Sequence, residues 1–329
     1  MTIFLTRLRF GLPDRFLAAI ALAGAFMIYL TWDQMHWWKS KPDYTFGWLV
    51  PLFVSYLIVE RWPRFRQMFR TSAPSRLPSR LQGAISLVMG LVLGGGLCFF
   101  LLGAFYRAAS GVSQPGSFAV ALGFAGVLLG MIYFNVPDGQ ASDAAPSTLW
   151  RAIRNDTRLR ATGLFLFPAL IWILSAPLVT AVENAISLFL LQRVVAVVFA
   201  VFSFLGLPML QEGNVLVLPH GHVGVVDACS GIRSLTGCLF AGSFLGAVFL
   251  DRLWKKILLV GVAMGLAFFT NLLRSLFLTS WAYAHGSAAI EGVLHDATGL
   301  AVLGLTIVGL FALLPFFKSE NWRRWLRLG

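Results

Sequence analysis

Charge is scarce in this chain: only 12% of its 329 residues are Asp, Glu, Lys or Arg, while 58% are hydrophobic. A soluble domain of this length cannot hide so much apolar surface, which excludes a water-soluble globular protein. Strict alternation of apolar and polar residues is missing, which excludes a membrane β-barrel. Small residues of a cleavage site are missing behind the first hydrophobic run, where Trp32, Trp37 and Trp38 stand instead, so that run reads as a retained span. Cysteine is rare as well. Cys98 and Cys238 lie inside apolar runs and read as packing residues, which leaves no obvious disulfide pair and one thiol, Cys229, in a polar setting. Acidic residues number 14 against 26 Lys and Arg. Such an excess points to nucleic acid in a soluble protein, but in a membrane protein it flanks the spans on the cytoplasmic side.

What is present is a series of apolar runs, at 16–32, 46–62, 84–105, 117–134, 162–180, 186–205, 232–250, 256–282 and 294–317. The pattern predicts an all-α polytopic membrane protein, since only helices of this kind satisfy their own backbone inside a bilayer. The run 186–205 carries Gln192 and Arg193 at its middle, and an Arg at the bilayer centre costs about 2.5–3.5 kcal/mol. If that run does not cross, the basic clusters before 16, over 61–80, over 151–160, over 252–256 and after 317 all fall on one side. The positive-inside rule therefore predicts about eight transmembrane helices with both termini in the cytoplasm. It makes 186–205 an interfacial or re-entrant helix on the outer side. The basic excess is then a topology signal, and nucleic acid drops out as a partner. Only twelve residues follow 317, so no soluble domain is expected there.

Residues 206–228 differ in kind. The β-prone runs "NVLVL" and "HVGVV" flank Pro219-His220-Gly221, which predicts a small extracellular hairpin leading to Cys229. Glu212, Gly213 and Asn214 read as turn residues bordering a pocket. Tyr44 to Pro51 reads as an aromatic anchor entering the second span.

Three places carry chemistry. In "DACSGIRSL", Ser230 and Gly231 open the run 232–250, so Cys229 sits at a helix N-terminus. The partial positive charge there lowers a thiol pKa, and the unpaired N–H groups of the first turn can hold an oxyanion. Arg233, one turn on, adds positive field; the bland alternative is a small buried Cys without a role. In "FFTNLLRSLFL", Asn271 and Arg274 share a helix face. Arg274 lies ~12 Å below the outer end of its span, at ~1.5 Å per residue, and an ionisable residue at that depth is a functional candidate or a structurally paired one. In "EGVLHDATG", His295 stands at the start of the last span beside Asp296, where an imidazole can relay protons or be an inert surface residue. The topology brings Cys229, Arg274 and His295 to one outer-leaflet pocket, an acyl-transfer set. A zinc site from His220, His222, Cys229 and His295 is a rival reading, with loose spacing. No metal and no cofactor is expected.

"DACSGIRSL", "NLLR" and "HDATG" together resemble the exosortase/archaeosortase family of membrane-embedded sorting enzymes, over roughly residues 43–310. The resemblance implies that Cys229, Arg274 and His295 are catalytic. It implies a cysteine transpeptidase or peptidase acting on secreted proteins that end in a Pro-Glu-Pro-type motif, a transmembrane helix and a basic tail. A Cys229 thioester would pass them to a lipid or envelope acceptor. Such systems accompany exopolysaccharide production in Gram-negative bacteria, which implies an inner-membrane protein with its site facing the periplasm. Ser230, Gly231, Arg233, Asn271, Glu212 and Asn214 are then the expected substrate-binding residues. The chain reads as a single integral-membrane domain over 1–329, with a catalytic core at about 162–310 and an N-terminal helical part over 1–161. Two departures stand out. Tyr44-Thr45-Phe46-Gly47 replaces a Tyr-Ser-His-Gly pattern, and the fused soluble domain of some relatives is lacking. The competing classes are a transporter or channel with Arg274 and Arg193 as an anion-binding pair, and a non-enzymatic scaffold for polysaccharide synthesis.

Overall fold

The structure, a computed structural model, describes residues 14–70, 77–136, 152–153, 155–219, 221–224, 232–250 and 252–318. Among these residues nine helices are long and apolar enough to cross a membrane. They are α1 (Asp14–Ser40), α2 (Val50–Arg70), α3 (Ser79–Ser110), α4 (Gln114–Asn135), α5 (Thr157–Ser175), α6 (Thr180–Phe204), α7 (Ile232–Phe249), α8 (Leu253–His285) and α9 (Val293–Lys318). The chain is an all-α polytopic membrane protein, as its composition predicts. It divides into two compact units, one of residues 1–41 and 45–178, the other of 42–44 and 179–329.

In the first unit α3 and α4 form the closest helix pair, because glycines let the two backbones touch. A Cβ on Gly123 would sit 2.3 Å from the Phe100 nitrogen. Small residues at such seams are what membrane helices use in place of a hydrophobic driving force. The C-terminal end of α1 carries a buried polar network. Gln34 Nε2 donates to the Trp172 carbonyl at 3.1 Å and Gln34 Oε1 accepts from Ser175 Oγ at 2.6 Å, while Trp38 Nε1 donates to the Ser175 carbonyl at 3.2 Å. Beside it Arg107 pairs with buried Asp33 and lies over the Trp32 ring, 4.2 Å from its centroid. In an apolar medium these bonds have no water to compete with, so they fix the helices in one arrangement.

In the second unit α6, expected as an interfacial or re-entrant helix, is one unbroken helix of 25 residues, about 37 Å at 1.5 Å per residue, and by length and composition it is also a candidate span. Gln192 and Arg193 do not interrupt it because they lie on its exposed face. Leu191, Val194, Val195, Val198 and Phe202 form the opposite, buried stripe. That stripe packs on Leu278 and Ala282 of α8 and on the sheet residues Leu216 and Val223.

The expected hairpin is present and larger than expected. Three antiparallel strands, β1 (Leu210–Glu212), β2 (Val215–Leu218) and β3 (Gly221–Gly224), run in chain order. Glu212, expected in a turn, ends β1 opposite Val215, and the turn is Gly213-Asn214. The third strand escaped the sequence pattern because Leu-Gln-Glu is short and fully exposed, with no apolar alternation to betray it. Gly221 has φ +141°, and a Cβ there would meet Ser287 Oγ at 2.6 Å, so only glycine lets β3 dock against the short 3-10 turn Ser287–Ile290. Of the two cysteines expected to pack, Cys238 is buried between α7, α8 and α9, whereas Cys98 lies exposed on α3.

Candidate functional site

Helix α8 runs through the second unit with a polar stripe on its buried face. Thr270, Asn271, Ser275 and Thr279 are all nearly inaccessible. Arg274 follows Asn271 by three residues, which turns its side chain toward the first turns of α9. There its Nη2 lies 3.0 Å from His295 Nε2 and 3.0 Å from the His295 carbonyl oxygen. Its Nε donates to Thr298 Oγ1 at 3.3 Å, and that hydroxyl donates to the same His295 carbonyl at 2.9 Å. Gly299 completes the seat: a Cβ there would stand 3.5 Å from Nη2, in plain contact with the guanidinium.

The chemistry of the two groups assigns the protons. A guanidinium has donors only, so in the contact with Arg274 the His295 Nε2 lone pair is the acceptor. The ring proton of the resting imidazole is then on Nδ1. Arg274 thus occupies the nitrogen that a general base would use. It also sets a planar, permanently charged fork beside that nitrogen.

Arg233 stands in the first turn of α7 and is 66% exposed. Its Nε donates to Asp43 Oδ1 at 3.3 Å, while Thr236 Oγ1 donates to the Asp43 carbonyl at 3.0 Å. These bonds tie residues 42–44 into the second unit. Among the described residues, Arg274, Asp296 and Arg233 are charged groups whose fields reach the His295 ring. Asp43 is the residue that sequence reading missed. It lies 190 positions from its partner, one residue before the stretch Tyr44 to Pro51 read as an aromatic anchor, and nothing local marks it.

The expected site residues therefore separate into groups. Arg274 and His295 are in contact, Asn271 is buried one turn before Arg274, and Arg233 stands at the head of α7. Glu212 is exposed at the end of β1, and Asn214 is half-buried in the turn after it. Cys229, Ser230 and Gly231 lie outside the described residues, as does His220; the described chain resumes at Ile232, where α7 begins. Among the described residues no three His, Cys, Asp or Glu side chains gather as a metal would require.

The sequence model of the transmembrane exosortase family matches residues 37–312. That stretch holds Asp43, Cys229, Arg233, Asn271, Arg274 and His295 together. No curated protein and no solved structure matches the chain.

Proposed function

Because the chain belongs to the transmembrane exosortase family, and is thus a membrane sorting enzyme, we propose that it is a cysteine peptidase and transpeptidase of the bacterial inner membrane. Its substrates are secreted proteins with a C-terminal sorting signal: a Pro-Glu-Pro-type motif, a transmembrane helix and a basic tail. Its product is the processed protein joined to a lipid or envelope acceptor. The reaction takes place on the periplasmic side. The observation that carries this reading is the contact between Arg274 and His295, a donor-only cation and an imidazole held together by two different helices.

In this reading Cys229 Sγ attacks the scissile carbonyl carbon while its proton passes to His295 Nε2. That nitrogen becomes available as the Arg274 donors turn to the oxygen on which negative charge develops. The first-turn N–H groups of α7 assist there, as in other oxyanion holes. The carbon–nitrogen bond then breaks, and the leaving amine takes the proton from His295, which leaves a thioester on Cys229. A hydroxyl or amine of the acceptor attacks that thioester, the sulfur leaves, and the acceptor's proton returns to the thiol. Arg233, held by Asp43, and Asn271 border the path of the peptide.

Co-expression with a tagged substrate tests the reading. Mass spectrometry should find a truncated substrate with a newly modified C-terminus. Cys229→Ala should abolish that product while the protein still inserts in the membrane. Normal processing by the Cys229→Ala variant would sink the nucleophile assignment.

A further inference from the structure

The paired ends of α2 and α5, in the first unit, enclose a cavity of about 480 Å³ that the proposed reaction does not use. Arg64, Gln67 and Met68 line it from the last turns of α2, and Thr157, Arg160 and Leu164 from the first turns of α5. The wall behind it is fixed, because buried Arg61 of α2 donates to the Leu164 carbonyl of α5. The charge around the cavity is one-sided. Arg64 is 67% exposed and has a loose 3.8 Å ion pair with Glu60, and among the described residues no ion pair engages Arg160. Asp156, next to Thr157, accepts the Leu159 N–H as the N-cap of α5.

The place of the cavity along the helices narrows what could fill it. It lies where α2 and α5 run into the basic stretches 61–80 and 151–160. That is the level at which an apolar span gives way to headgroups and water. Along α5 its lining changes in the same sense, from the Thr157 hydroxyl and Arg160 to Gly163 and Leu164 one turn deeper. A ligand matching both halves carries a phosphate oxyanion at one end and a hydrocarbon stem at the other. A choline-type headgroup would bring a second cation against two arginines and fits poorly.

We propose that this cavity is a binding site for the headgroup of an anionic phospholipid. Arg64 and Arg160 donate to the phosphate oxygens, Thr157 adds a hydroxyl donor, and Leu164, one turn deeper than Arg160, flanks the glycerol and the first methylenes. Guanidinium–phosphate pairs are the strong, directional form of such contacts. Basic pockets between transmembrane helices are a recurrent way of holding acidic lipid.

The test uses the full-length protein in neutral detergent and native mass spectrometry, with dioleoyl phosphatidylglycerol, dioleoyl phosphatidylcholine and inorganic phosphate as separate probes. The wild type should retain phosphatidylglycerol in preference to phosphatidylcholine. The pair Arg64→Gln/Arg160→Gln should lower that retention about twenty-five-fold, taking each arginine as worth roughly fivefold. Arg64→Lys/Arg160→Lys should keep most of it, which separates lost charge from lost fold. A control pair, Arg80→Gln/Arg252→Gln, removes two exposed arginines elsewhere and should leave retention unchanged. Equal loss in the control pair would reduce the effect to general surface charge and overturn the site. Equal retention of both lipids would overturn it too. Inorganic phosphate binding on its own, and displacing the lipid at equal concentration, would assign the cavity to a soluble phosphate and overturn the lipid.

Discussion

Arg274 Nη2 lies 3.0 Å from both the Nε2 and the carbonyl oxygen of His295, so one guanidinium edge reads the side chain and the backbone of the same residue. The Nε of the same fork donates at the same time to Thr298 Oγ1, and one ammonium nitrogen cannot span all three contacts. Arg274→Lys keeps the charge but loses the fork, and is expected to lower the rate of substrate processing by about 10²–10³, close to the effect of Arg274→Ala. Membrane-fraction blots should show both variants at wild-type abundance. Processing by Arg274→Lys near the wild-type rate would mean that charge alone is needed there.

His295→Gln places a carbonyl oxygen where Nε2 accepts, and so preserves a partner for Arg274 while removing the proton relay. Processing should fall about 10²–10⁴-fold, the usual contribution of a positioned acid–base group. Thr298→Val removes the hydroxyl that accepts from Arg274 Nε and should cost far less, about tenfold, from looser positioning. A time course of substrate cleavage distinguishes the two. Equal losses would argue that His295 acts only as a holder for Arg274.

The pair Arg233–Asp43 is largely exposed, and exposed ion pairs contribute only about 0–1 kcal/mol. Asp43→Asn should therefore leave the thermal midpoint nearly unchanged while weakening substrate use. The swap Asp43→Arg/Arg233→Asp should recover part of what either reversal loses alone. A double-mutant cycle on processing rates checks this, and strict additivity of the two losses would remove Asp43 from the site.

Gly221→Ala meets two separate penalties, a φ of +141° and a Cβ 2.6 Å from Ser287 Oγ. It should destabilise the sheet by about 1–3 kcal/mol. Combining it with Ser287→Gly relieves the contact but not the dihedral, so about half the loss should remain. Proteolysis within 206–228 is the readout, and a silent Gly221→Ala would show that β3 is not seated on Ser287.

Asp33 is 1% exposed and Arg107 13%. Removing one member of such a buried pair leaves an uncompensated charge and costs about 3–5 kcal/mol. Asp33→Ala should therefore lower the thermal midpoint of the purified protein sharply. The apolar double replacement Asp33→Leu/Arg107→Met should restore much of it. If the double variant were as unstable as the single one, the pair would matter for more than mutual neutralisation.

The order of the helices and the positions of Arg274 and His295 on them were legible in the chain itself, whereas several helices run well past their apolar stretches, as α3 does over Ser79–Ser110 around the run 84–105. Apolar runs of near twenty residues have one solution in a bilayer, and residues three apart on a helix necessarily share a face. A pairing between α8 and α9 was legible only as an expectation, since both residues stand at the same level of adjacent spans. The tertiary structure alone decided three matters. It joined Asp43 to Arg233, because no local pattern marks a carboxylate whose partner is 190 residues away. It added β1 to the sheet, because an exposed three-residue edge strand carries no alternation. It kept α6 whole through Gln192 and Arg193, because a helix tolerates polar residues on whichever face it does not bury. Periodicity along a chain specifies what each segment becomes; which segments meet depends on packing between surfaces, and that is a property of the folded molecule.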